Sequence, residues 1–140
     1  MLTVRAATAA EVIAARRIHN ACRSLAAWLP EPLRTSGTPT CLDEHEVLHV
    51  AVTAQAAVVG FITIHPPESF IHHLYVDPSC QRQGVGTLLL RSLDAWLPSP
   101  WRLKCVTANA GALRFYARHG WIGIGSGAGD EGPYTLLLRA

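Results

Sequence analysis

No stretch of this 140-residue chain approaches the roughly 18 to 20 consecutive apolar residues that a membrane-spanning helix needs, so no helical span is expected. Charge of one sign is equally absent. Lysine and arginine number 12 against 10 acids, a balance of +2, without the basic stripe that counterion release on nucleic acid demands. Four cysteines (Cys22, Cys41, Cys80, Cys105) form no Cys-x-x-Cys pair and no small-scaffold framework, so reduced thiols are expected. The start carries Arg5 within a strand-like alternation in place of a signal-peptide core, and a cytoplasmic globule is the expectation. Seven histidines add charge only below neutrality. What is present is apolar content of 49%. That suffices for one domain over residues 1–140 burying roughly 68% of its unfolded surface. Oligomeric state stays open, a homodimer included.

Leu2-Thr3-Val4-Arg5 alternates as a strand does, and from Ala9 to Leu29 the spacing is helical, with Val12, Ile13, Ala15 and Ile18 on the buried stripe. Pro30, Pro32, Gly37 and Pro39 interrupt the pattern and predict a loop or short helix of the kind that shapes substrate pockets. Val47–Val52 and Ala57–Ile64 form a hairpin, and Phe70–Val76 is a third strand, stopped at Asp77-Pro78. Thr87–Leu97 is helical, with Leu89, Leu90, Leu93, Trp96 and Leu97 on one face and Pro98-Ser99-Pro100 as its stop. Next come a strand over Trp101–Ala108 and a helix from the Asn109 N-cap to about His119, with Gly120 as its left-handed end. A hairpin of Trp121–Ile124 and Tyr134–Arg139 around a Gly125–Gly132 loop closes the chain. The order is that of an α+β fold, a mixed sheet with helices packed on it. Strand, helix and strand between Phe70 and Ala108 make a right-handed parallel crossover, and ligands of such sheets sit beyond the carboxyl end of the first strand.

At that place stands Gln81-Arg82-Gln83-Gly84-Val85-Gly86-Thr87. Gly84 and Gly86 let the backbone approach an anion, the first N–H groups of the helix point outward, and the dipole adds positive potential. Arg82 supplies a charged contact at the rim. A Gly-x-Gly-x-x-Gly fingerprint fails at Leu89, and Walker A fails because the only lysine is Lys104, on another strand. The remaining pattern, Gln/Arg-x-x-Gly-x-Gly/Ala, is short, and its glycines alone would also serve a tight strand-to-helix turn.

Val76-Asp77-Pro78, Asn109, and Phe115-Tyr116 followed by Gly120-Trp121 add context. Together these segments resemble the GNAT superfamily of acyl-CoA-dependent N-acetyltransferases, in element order over essentially the whole chain and most closely from Ile71 to Trp121. Ile71–Pro78 and Asn109–Trp121 are similar to a bacterial subgroup of small members. The resemblance implies a central, mostly antiparallel sheet with helices on both faces, and acetyl-CoA as acyl donor. It implies that backbone N–H groups of Gln81, Arg82, Gln83, Gly84, Val85, Gly86 and Thr87 cradle the coenzyme A pyrophosphate. Leu74, Tyr75 and Val76 would offer main-chain groups to the pantetheine arm and acetyl carbonyl, and Asn109 would hold the arm from the other side. The strands ending at Val76 and starting at Trp101 would splay, so that the arm pairs with an exposed edge. Tyr116 falls at the general-acid position beside the departing sulfur.

An alkyl amine is protonated near neutrality, so acetyl transfer needs a proton acceptor, an oxyanion site and protection of the leaving thiolate. The resemblance implies direct attack by a primary amine of a small molecule or peptide. His72 is the candidate base, on the strand face of Leu74 and opposite His73 and Tyr75, where similar sequences often carry an acid. A glutamate base that some relatives place five residues before the asparagine is not carried over, because Lys104 stands there. Each candidate has a structural alternative: Tyr116 as a packed helix residue, Asn109 as an N-cap, His72 as a hydrogen-bonded strand histidine. Cys41, His45 and His49 would share a face only in a helix, and the strand pattern beginning at Val47 breaks that requirement, so no metal is expected. The Pro-rich segment after Trp28 and the glycine-rich loop, with Asp130 and Glu131, are the expected contributors to amine selection. Competing readings are a coenzyme A-binding module without turnover, and an interaction module in which Gly84 and Gly86 only turn the chain.

Overall fold

The computed structural model describes residues 1–35 and 46–140. Strands β1 (Thr3–Ala6), β2 (Val47–Val52), β3 (Val58–His65), β4 (Phe70–Val76), β5 (Trp101–Val106), β6 (Ile122–Gly129) and β7 (Gly132–Arg139) form one sheet in the order β1-β2-β3-β4-β5-β7-β6. Every neighbouring pair is antiparallel except β4 with β5. Helices α1 (Ala9–Ser24) and α2 (Glu31–Thr35) follow β1, α3 (Val85–Ser92) joins β4 to β5, and α4 (Ala110–Arg118) joins β5 to β6. This is the mixed α+β architecture that the element order predicts.

Alternation along β3 divides the core between the two faces of the sheet. Ile62 and Ile64 pack with Val85 and Leu89 of α3, whereas Phe61 packs with Ala15 and Ile18 of α1. A strand covered on both sides is apolar at consecutive positions, and β3 is buried almost throughout. Gly60 marks the closest approach of α3. A Cβ there would lie 2.9 Å from Val85 Cγ1 and 3.0 Å from the Tyr75 carbonyl oxygen, so only hydrogen fits.

A capping box starts α1: Glu11 N–H donates to Thr8 Oγ1 at 3.4 Å, and Thr8 N–H donates to Glu11 Oε1 at 2.9 Å. Arg5 adds a bidentate pair to the same carboxylate at 2.7 and 2.8 Å, holding its pKa at about 2. The helix ends at Ser24, short of the predicted Leu29, and single turns carry the chain to the buried Ala26 and Leu29. Ile13, predicted inside, is 68% exposed. It lies two residues from Ala15 and so on the opposite side of the helix, while His19 and Arg23 take the inward line with Ala15 and Ile18.

α3 begins two residues before the predicted Thr87 and gives way after Ser92 to a 3₁₀ turn, which leaves Trp96 exposed. β6 and β7 run through the predicted Gly125–Gly132 loop and leave only Asp130 and Glu131 between them. Cross-strand packing explains this. Gly127 pairs with Tyr134, whose ring occupies the space that a side chain at 127 would take.

Candidate active site

β4 and β5 pair only at Phe70↔Arg102 and Ile71↔Leu103. Directly afterwards β4 carries one extra residue, His72, because Ile64 of β3 pairs with Ile71 and Thr63 with His73. A bulge bends its strand and tightens the local twist. Beyond it β4 stays with β3 as far as Val76, and β5 stays with β7 as far as Val106, so their facing edges part. Asp77 N–H donates to the Val59 carbonyl of β3 at 2.8 Å. By alternation Tyr75 also turns to β3, and the backbone groups of Leu74 and Val76 face the opening. The Val76 carbonyl already accepts from Cys22 Sγ at 3.2 Å and Gln81 Nε2 at 3.4 Å, which leaves its N–H and the Leu74 groups to a ligand.

The bulge also corrects the predicted placement of His72. Its ring lies 4.5 Å from that of His73, while Leu74 packs toward α3, so His72 does not share the Leu74 face. His72 Nδ1 is hydrogen-bonded to Oε1 of Glu46, a carboxylate only 5% exposed. With a carboxylate as acceptor Nδ1 carries the hydrogen, so in the neutral imidazole Nε2 is the nitrogen that bears the lone pair. The second oxygen of Glu46 is buried without a partner among the described residues. Glu46 was no candidate from the sequence. Only the register that sets Val47 opposite Ile64, and Ile64 opposite Ile71, brings it to β4.

At the mouth of the opening, Asp77 Oδ1 accepts from Ser79 N–H at 2.9 Å and caps a 3₁₀ turn that leads into Gln81–Thr87. Arg82 (φ 64°) and Gly84 (φ 82°) are both left-handed. For Arg82 this costs on the order of 1 kcal/mol, and such strain collects at ligand clamps. No side chain caps α3, and the amides of Val85, Gly86 and Thr87 have no acceptor among the described residues. Free amides and the positive end of the dipole there favour an anion. Gly86 meets α4, where a Cβ would lie 3.2 Å from Phe115 Cζ. Beside it His119 Nδ1 donates to the Phe115 carbonyl at 2.8 Å, so His119 Nε2 accepts from the Thr87 hydroxyl at 3.0 Å.

Tyr116 is 8% exposed, edge-on to Trp121. Burial raises its phenol pKa, with Cys105 and Tyr75 adding to the shift, and its hydroxyl has no hydrogen-bond partner among the described residues. Tyr75 is pushed up to about 12, chiefly by burial and then by Glu131. Both phenols therefore stand protonated at neutral pH. Burial likewise pushes the Cys105 and Cys22 thiols up to about 11, which removes them as ready nucleophiles. Cys22, Cys80 and Cys105 are free thiols. Asn109 Oδ1 accepts from Ala112 N–H at 3.2 Å, the N-cap predicted for it. The Lys104 ammonium rests 5.0 Å from the centroid of the Tyr134 ring. Of the weighed metal triplet, Cys41 and His45 lie outside the described residues, and His49 sits on β2 with its ring 5.2 Å from that of Trp96.

On the α1 face a second polar group was not visible in the sequence. Arg23, buried, donates through Nη1 to Glu131 Oε1 at 2.8 Å and through Nη2 to the Leu33 carbonyl at 3.0 Å. Glu131 is thus neutralised by the protein itself, a correction to its predicted role of attracting a cationic amine. His19 packs edge-on to His73 and Tyr75, with ring centroids 5.5 and 5.0 Å away. His73 Nδ1 lies 2.8 Å from Thr63 Oγ1. Burial first, then the charges of His72, His19 and Arg23, lower the His73 pKa from 6.5 to about 3. The unfolded chain therefore takes up a proton near pH 6.5 that the folded protein refuses until about pH 3, so stability is full above the first value and falls below it. Between about pH 7 and pH 5 the protein is expected to lose about 1–2 kcal/mol from this group. Urea midpoints at the two pH values check it, and His73→Asn should flatten the difference.

Fold and sequence pattern together define a member of an acetyltransferase family. The pattern of the Acetyltransferase (GNAT) family matches residues 12–121, and the chain belongs to that family. Its fold is similar to that of apo YjaB from Escherichia coli, at 22% identity and TM-score 0.79, covering 100% of this chain and 98% of that one. It is also similar to the alanine N-acetyltransferase of ribosomal protein S18 from Escherichia coli (18%, TM-score 0.69, 99% and 93%). A spermidine N-acetyltransferase SpeG chimera from Vibrio cholerae and hSSAT is a third (19%, TM-score 0.69, 99% and 94%). No curated protein matches the sequence. Among the described residues no helix is long and apolar enough to cross a membrane.

Proposed function

We propose that the protein moves the acetyl group of acetyl-CoA to a primary amine of a small molecule or peptide by direct attack. One observation carries the reading: the bare amides of Val85, Gly86 and Thr87 stand at the mouth of an opening whose β4 edge offers unpaired backbone groups. A diphosphate on those amides and an amide-bearing arm along β4 would satisfy both sets at once. Amine acceptors are supported by the names of the spermidine and alanine N-acetyltransferases that share the fold.

The amine lone pair attacks the thioester carbon, the new C–N bond forms, and the negative charge on oxygen faces the Leu74 N–H. Collapse breaks the C–S bond, and the sulfur leaves with its electron pair as Tyr116 donates a proton. Nε2 of His72, the nitrogen left free by Glu46, accepts the amine proton directly or through water. Asn109 braces the arm from the α4 side, with its Nδ2 available because Oδ1 is engaged in the cap.

Thiol release over a panel of amines, together with thermal stabilisation by coenzyme A, tests the assignment. No stabilisation at saturating coenzyme A would sink it, and stabilisation without thiol release for any amine would leave a binding module. His72→Gln and Glu46→Gln are each expected to lower kcat/KM by about tenfold, because water still offers a slower route for the proton. In the double variant the second change should add almost nothing, since the two residues act as one unit. Independent, multiplying losses would remove Glu46 from the role.

A further inference from the structure

Arg91 in the last turn of α3, Arg118 in the last turn of α4 and Arg139 at the end of β7 converge on one cavity of about 350 Å³. Buried Trp101 and Trp121 line it as well. A basic residue in a last helical turn complements the helix dipole, which accounts for Arg91 and Arg118 singly but not for their meeting with a third guanidinium across one cavity. Among the described residues a single carboxylate answers them, Asp94 Oδ1 at 3.5 Å from Arg139 Nη1. Arg139 is also held by stacking, its guanidinium carbon 4.5 Å from the centroid of the Trp101 ring. Arg91 and Arg118 have no carboxylate partner among the described residues.

We propose that this cavity binds the phosphate group of a small phosphate ester, at a second site separate from the acetyl-CoA cradle. Guanidinium groups match phosphate oxygens in geometry as well as charge. The volume exceeds what a bare phosphate fills and lies within the range of small-molecule sites. Arg91 stands about 9 Å along the helix from Val85, at about 1.5 Å per residue, and Asp94 lies beyond it in the 3₁₀ turn, so the cavity is displaced from the free amides. His119 lines the cavity too, yet both of its ring nitrogens are occupied, one by the Phe115 carbonyl and the other by Thr87. It therefore offers a ligand no open ring nitrogen but connects the cavity to the first turn of α3.

The test uses the full chain saturated with coenzyme A, titrated with inorganic phosphate and then ribose 5-phosphate while the indole N–H resonances are followed. Those of Trp101 and Trp121 should move and that of Trp28 should not, and sodium chloride at equal ionic strength should reproduce neither effect. An Arg91→Gln, Arg118→Gln double variant, changed only at exposed positions, should bind about tenfold more weakly. The proposal is overturned by still Trp101 and Trp121 resonances, by equal affinity in the double variant, or by shifts that vanish once coenzyme A is present. A protein that failed to bind coenzyme A would still report on the cavity, so this site and the proposed reaction fail separately.

Discussion

Gly84→Val is expected to raise the KM for acetyl-CoA by about a hundredfold, the equivalent of two lost charge-assisted hydrogen bonds. Gly84 sits at φ 82°, and a Cβ placed on it meets nothing within 4 Å, so the protein itself leaves that space open. A branched side chain there would be strained by its own backbone and would stand over the amides of α3, where the diphosphate is to lie. Backbone strain alone would lower stability by about 1–2 kcal/mol, so a control is needed to separate fold from binding. Gly120 provides it, with φ 87° and equally open space, beyond α4 and outside the Gln81–Thr87 turn. Gly120→Val should lose comparable stability in a urea titration yet keep the KM of the parent. Equal KM values for the two variants would remove the pyrophosphate from this turn.

Tyr116→Phe should lower kcat by about a hundredfold, the low end of general-acid contributions, because a thiolate is already a fair leaving group. The ring packs against Trp121 and Phe115, while the hydroxyl has no partner to lose among the described residues, so folding stability should hardly move. A rate loss without a stability loss separates chemistry from packing. The deficit should shrink with an acetyl thioester of a more acidic thiol, whose sulfur needs less help to depart. A variant that loses only a fewfold in kcat, or loses equally with both donors, would assign Tyr116 to the core alone.

Much of this was legible beforehand for identifiable reasons. The 3.6 period and the Asn109 and Gly120 caps marked α4, and the change of period after Asp77-Pro78 marked the crossover from β4 to α3. Local geometry carried those signals. What failed to show depended on partners distant in sequence. The bulge that brings His72 to His73 depends on pairing with β3, and the Glu46 contact depends on two strand registers. Alternate glycines in β6 suggested a loop, but Tyr134 and its neighbours on β7 supply the packing that those glycines do not. His19 and Arg23 occupy inward positions of α1 that an apolar periodicity cannot flag, because the residues that receive them come from β4 and the final turn.

The Arg23 to Glu131 pair sets a limit on engineering. A hairpin tip is the natural place to exchange when acceptor preference is to be altered, since it tolerates insertions and projects from the sheet. Here the glutamate at that tip is the counterion of a guanidinium sealed under the first long helix. A transplanted tip without an acid at this point would strand a positive charge away from water and loosen the helix that carries it. Libraries that diversify the tip should therefore hold position 131 acidic, or replace Arg23 with an apolar residue in the same step.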